Sequence, residues 1–180
     1  RTFPKAVHIL TGSNTPPNTT SGFLTGELLP AIARTMNFQV IARDNRANGG
    51  GISTASAQVV VTGNGPFQLT SPNSSTTWYL GSNPVVTWST AGSESAPINA
   101  ANVRILLSTD SGATFPTVLA ASTANDGSET VTSPAINTST ARIRIEPVGN
   151  IFFDVSDVDF SISNQAATAG LIAGRVTTAG

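Results

Sequence analysis

The chain has no cysteine, one histidine, one methionine and only 11% charged residues. Each shortage closes off a class of chemistry. Without cysteine there is no disulfide, no thiolate metal site and no thiol nucleophile. With His8 as the sole histidine, the two imidazoles of a His-Glu-x-x-His zinc helix cannot be supplied. A net charge of −1 and a pI near 5.7 provide no field for phosphate backbones or anionic lipid, so nucleic acid is excluded as an expected partner. No apolar run approaches the roughly 18 residues of a membrane span, and the N-terminus carries no signal-like apolar stretch. A soluble chain without membrane insertion is expected.

What is present is turn chemistry. Sixteen glycines and 11 prolines accompany many Ser, Thr and Asn residues over 180 positions, the profile of short strands joined by turns. That length allows one large β domain or two small ones. A β protein that does without disulfides fits a bacterial surface better than an animal one.

Residues 36–62 read as a hairpin: Phe38, Val40 and Ala42 alternate with Gln39, Ile41 and Arg43, Asp44 to Gly51 supply a turn, and Ser56 to Val61 return. Upstream stand only the short apolar run Ala6 to Leu10, a Thr, Pro, Asn and Gly stretch over 11–22, and Glu27 to Arg34, where a helical turn or irregular crossover is expected. Residues 1–63 therefore look like the closing strands of a sandwich whose opening strands are missing. Gly63-Asn64-Gly65-Pro66 reads as a linker. Beyond it, strands are expected near 67–71, 76–80, 85–89, 103–108, 118–121, 129–133, 141–148 and 152–162, the spacing of a complete sandwich. In Val103 to Leu107 and in Arg142 to Glu146 the alternation turns one face inward and arginines outward, an arrangement that would discourage pairing at an exposed edge. Trp88 is a natural core residue. The fold class expected is all-β, as tandem immunoglobulin-like β-sandwiches with the first incomplete: a partial module over 1–63, a complete one over 64–164, and a linker with a terminal strand over 165–180.

Ser108, Asp110, Gly112, Thr114 and Phe115 match the Asp-box pattern Ser-x-Asp-x-Gly-x-Thr-aromatic. Its physical content is a turn whose Asp accepts backbone N–H groups, whose Gly takes positive φ and whose aromatic ring tucks under the loop. Asp-boxes occur in glycosidases and in many proteins that are not enzymes, so the motif carries architecture and no activity.

Three blocks act together: Glu27-Leu28-Leu29-Pro30 to Arg43-Asp44-Asn45-Arg46; Pro66 to Pro72 with Val86-Thr87-Trp88; and Asn125-Asp126-Gly127-Ser128 with Gly149 to Asp154. Over roughly residues 1–163 the chain resembles the immunoglobulin-like region that follows the catalytic domain in secreted reprolysin-like zinc metalloproteases of Bacteroidetes-type bacteria, modules that also occur in surface proteins. The resemblance implies secretion and a β-sandwich. It does not imply proteolysis, since the zinc-binding helix has no counterpart. Gly170 to Gly180 is similar to the opening strand of carboxypeptidase-regulatory-like domains.

No other catalytic set emerges. His8 reads as a general base or, more plainly, as a partly exposed surface histidine. The 10 acidic residues are not forced into one cleft. Asp154, Asp157 and Asp159 are calcium candidates, against which a solvated strand edge is the plainer reading, because Asp154 and Asp157 would face opposite sides of a regular strand. No other cofactor is expected. Asn18, Asn73 and Asn137 open glycosylation sequons and equally suit turns.

A sandwich lacking strands leaves an apolar groove and open edges. Leu171, Ile172, Ala173 and Val176 form a β-compatible core in the tail that could fill such a gap. The expected function is therefore a non-enzymatic structural subunit of an extracellular bacterial filament or surface array, secreted or on the cell surface. Copies of the chain would be its partners, joined head to tail by strand complementation. Two alternatives stand beside it: an accessory module of a secreted metalloprotease, or an adhesin binding surface glycans or protein. For the adhesin, Trp78 and Tyr79 would form an exposed aromatic platform, unless Trp78 packs inward.

Overall fold

Strands that alternate apolar and polar residues need a second layer to cover the apolar side. Among the described residues, one of the two main strand groups has that layer. A computed structural model describes residues 2, 4–12, 19–20, 23–24, 29–47 and 49–165. After one helical turn, α1 (Ala6–Ile9), every element is a strand: β1 (Thr19–Thr20), β2 (Phe23–Leu24), β3 (Arg34–Arg43), β4 (Ile52–Val61), β5 (Gln68–Ser71), β6 (Thr77–Tyr79), β7 (Val85–Ser89), β8 (Asn102–Ser108), β9 (Thr117–Ala124), β10 (Ser128–Thr130), β11 (Thr138–Pro147), β12 (Asp154–Val155) and β13 (Phe160–Ser163). The protein is all-β, and no described helix is long and apolar enough to cross a membrane.

Strands β5 to β13 form two sheets, one ordered β10-β7-β5 and one ordered β6-β13-β11-β8-β9, with β12 also lying on β11. All pairs are antiparallel except β6 with β13. A single core joins the layers: Leu69, Val86 and Trp88 come from one sheet, and Trp78, Val103, Ile105, Leu107, Ile143, Ile145, Phe160 and Ile162 from the other. Trp78 packs on Phe160 with ring centroids 4.6 Å apart. The largest polar groups that enter this core are hydrogen-bonded there. The Trp88 indole donates to Asn125 Oδ1 at 2.8 Å, and Asn125 Nδ2 donates to Ser93 Oγ and to the Ala100 carbonyl, both at 2.9 Å. Across the layers, Asp154 is buried and accepts the Leu69 amide at 2.7 Å.

Two expectations are corrected. The strand expected over 152–162 is broken into β12 and β13, because Ser156 continues the pairing with Ile143 through its amide and hydroxyl and residues 157–159 then leave the ladder. Asp157 is drawn out by a reciprocal pair with Asn73, its own amide donating to Asn73 Oδ1 and Asn73 Nδ2 donating to its carboxylate, each at 2.6 Å. The arginine-bearing strands β8 and β11 are internal to their sheet, so their arginines guard no edge. Residues 29–33 hold no helix, and Glu27 and Leu28 lie outside the described residues. The apolar run at Ala6 becomes α1.

Replacing Asn125 by Ala would strand the indole N–H of Trp88 in the core, a loss of about 1–3 kcal/mol for a buried group left without its partner. Denaturant unfolding followed by Trp fluorescence should show the midpoint falling with an unchanged slope.

Candidate assembly site

β3 and β4 pair over their full ten residues, from Arg34 opposite Val61 to Arg43 opposite Ile52. Side chains alternate between faces, so this register sorts them. Met36, Phe38, Val40 and Ala42 share one face with Ala55, Ala57, Val59 and Val61, and Arg34 and Ser53 stand at its two ends. The other face carries Thr35, Asn37, Gln39, Arg43, Thr54, Ser56 and Gln58 along with Ile41, Ile52 and Val60, and is crossed by a Gln58 Nε2 to Asn37 Oδ1 bond of 3.0 Å. The ribbon is thus amphipathic. Its apolar face nonetheless meets solvent: Phe38 is 45% exposed and Val40 70%. Among the described residues neither strand pairs with any third strand. The connecting loop is closed by Asp44, whose amide donates to the Gly51 carbonyl at 3.3 Å and whose Oδ1 accepts from the Arg46 amide at 3.2 Å.

The Asp-box residues build the β8–β9 hairpin. Ser108 is buried, and its hydroxyl donates to Asp110 Oδ1 at 2.6 Å while accepting the Gly112 amide at 2.9 Å. Asp110 accepts the Thr114 amide at 2.9 Å and the Thr114 hydroxyl at 2.6 Å. Ser111 and Gly112 both take positive φ, 57° and 87°. Phe115 is half-buried, its ring 5.9 Å from the Arg144 guanidinium. The Ser108 hydroxyl first, then the Thr114 hydroxyl and amide, hold the Asp110 carboxyl down from 3.8 to about 2.

Behind that hairpin lies a feature not read from the sequence. Arg142, with only 11% of its side chain exposed, pairs with Asp159 and donates from Nη1 to the Ser156 carbonyl at 2.6 Å and to the Leu10 carbonyl at 2.8 Å. Ser111 Oγ donates to the other Asp159 oxygen at 2.8 Å. Burial alone would raise the Asp159 carboxyl, but the bonds from Arg142 and Ser111 and the charge of Arg142 outweigh it and hold it below the ordinary range. Farther along the same sheet, Glu146 is buried between Arg104 and Arg144, and the Arg144 guanidinium lies 4.0 Å from the centre of the Phe153 ring. An open depression of about 390 Å³ beside them is lined by Arg104, Arg144, Glu146 and Phe152.

The remaining candidates are dispersed. The carboxylates of Asp154, Asp157 and Asp159 each engage a different protein donor, and no cluster of three or more His, Cys, Asp or Glu side chains suited to a metal occurs among the described residues. Asn73 commits its amide to Asp157, Asn137 is exposed in the loop before β11, and Asn18 lies outside the described residues. Trp78 is buried and Tyr79 is 42% exposed, so the two do not form a joint surface platform. His8 is half-buried on α1. The tail candidates Leu171, Ile172, Ala173 and Val176 lie outside the described residues. No known family, curated protein or solved structure matches the chain.

A carboxyl whose folded value is depressed stabilises the hairpin above its unfolded value of 3.8 and loses that contribution as the pH falls through about 2. Carboxyl NMR should place the Asp110 midpoint near pH 2, and Asp110→Ala should release the Thr114 amide to hydrogen exchange.

Proposed function

We propose that the chain is a non-catalytic structural subunit of an extracellular bacterial filament or surface array, built head to tail by strand complementation. The observation that carries this reading is the apolar face of the β3–β4 ribbon, uncovered among the described residues. A two-stranded sheet is marginal in water unless further strands or another layer join it. Magnitude favours strand addition over simple stacking. A face about 34 Å long and 10 Å wide covers roughly 340 Å², so two ribbons packed face to face bury roughly 700 Å², short of the ~1,000 Å² of a stable contact. A strand laid along an open edge adds main-chain hydrogen bonds and widens the apolar face at once.

On this reading, residues 64–164 are the complete immunoglobulin-like module and the ribbon is the incomplete one. The tail strand with Leu171, Ile172, Ala173 and Val176 is the donor, received by the ribbon of the next copy. The resemblance to the immunoglobulin-like region of secreted metalloproteases supports an extracellular location and also favours the second reading, an accessory module beside a catalytic domain. The adhesin reading is weakened by the burial of Trp78.

Light scattering during size exclusion, with negative-stain imaging, should reveal assemblies that grow with concentration. The double substitution Phe38→Glu and Val40→Glu should reduce them to monomer while leaving the Trp-reported unfolding of the two-layer unit unchanged. A wild-type monomer with β3 and β4 amides protected from exchange would overturn the proposal.

A further inference from the structure

The turn formed by residues 4–12 sits on the two-layer unit with the features of a bound ligand. Pro4 and Ile9 are buried, Ile9 to 6% exposure, although neither belongs to the core of the two-layer unit. The Leu10 side chain lies over Gly112, where an added Cβ would stand 2.4 Å from Leu10 Cδ2. Gly12 lies against Asp157, where an added Cβ would come within 2.8 Å of the carboxylate. The Leu10 carbonyl, left unpaired at the end of a single helical turn, receives Arg142 Nη1 at 2.8 Å.

The receiving surface is built independently of the turn. Asp159 and the Ser156 carbonyl orient the Arg142 guanidinium, Ser111 steadies Asp159, and the Ser108–Asp110–Thr114 bonds place Gly112 at φ 87°. A mostly buried arginine aimed at a main-chain carbonyl, next to a side-chain-free notch, suits an apolar peptide turn that ends in an unpaired carbonyl. From this geometry we infer that the Gly112–Arg142 notch is a peptide-docking site, separable from the chain that fills it, whose ligand is the turn of residues 4–12. A lone chain supplies the turn itself. This inference stands on side chains remote from β3 and β4 and does not depend on the assembly proposed for them.

The core of the two-layer unit draws only on residues 67–162, so a chain lacking residues 1–12 keeps it. A synthetic peptide of residues 2–12 titrated into that shortened chain should shift the NMR signals of Ser111, Gly112, Arg142 and Ser156. The full-length chain, whose notch is filled, should take up the peptide far more weakly. A peptide carrying Ile9→Ala should bind roughly tenfold or more weakly, the loss expected for truncating a buried aliphatic side chain, and one carrying Leu10→Ala, which removes the half-buried side chain that covers Gly112, should bind several-fold more weakly. Val7→Ala, at a position 60% exposed, should bind as the parent does. Failure of the parent peptide to bind the folded shortened chain would overturn the inference, as would equal binding by the Leu10→Ala peptide. These variants lie in the peptide, so no failure of the protein to fold can imitate either result.

Discussion

A two-stranded ribbon has one layer, and whatever projects from either of its faces meets water unless something else is laid upon it. The β3–β4 ribbon carries Met36, Phe38, Val40, Ala55, Ala57 and Val59 along one such face. Elsewhere in the chain the same alternation is resolved by packing two sheets together, as when Leu69 and Trp88 of one sheet meet Ile105, Ile143 and Phe160 of the other. The contrast between a covered apolar face and one left uncovered among the described residues is the constraint on which the functional reading turns. A filled core needs no further layer, whereas a two-stranded ribbon is marginal in water without one.

All three arginines of the two-layer unit stand in ion pairs. Arg104 and Arg144 enclose Glu146, and Arg142 joins Asp159, all on β8, β11 or the loop before β13. Breaking one member of such a partly buried pair leaves the other charge without compensation, which costs more than the pair adds over an apolar substitute. The arrangement also gives the broken last strand its course: Asp157 turns to Asn73, Asp159 turns to Arg142 and Ser111, and the chain rejoins β11 at Phe160. The Asp-box hairpin and the N-terminal turn are held against that same stretch.

Much of this was legible in the residues and some of it was not. The ribbon was foreseen from alternation at Phe38, Val40 and Ala42, and its turn from Asp44 to Gly51, since both signals lie within a few positions of each other. The Asp-box geometry followed from its own five residues for the same reason. Trp78 left two orientations open, because its polar neighbours Thr76 and Thr77 suggested the surface while its inward ring partner, Phe160, lies far along the chain. Arg142 was read as outward-facing, which alternation supports, but outward from the core here means toward Leu10 and Ser156 and away from solvent.

The residues alone determined an all-β chain poor in charge, without thiols, with strands and turns close to their observed places and an amphipathic ribbon near the front. Period-two alternation and turn-forming residues act over a handful of bonds, so they can be read in a line. Which strands are internal, where the last strand breaks and what covers Arg142 were decided only in three dimensions. They depend on meetings such as Asn73 with Asp157 and Leu10 with Arg142, partners 84 and 132 positions apart. No local pattern encodes such a meeting, because each partner is an ordinary loop or strand residue until the fold brings the other beside it.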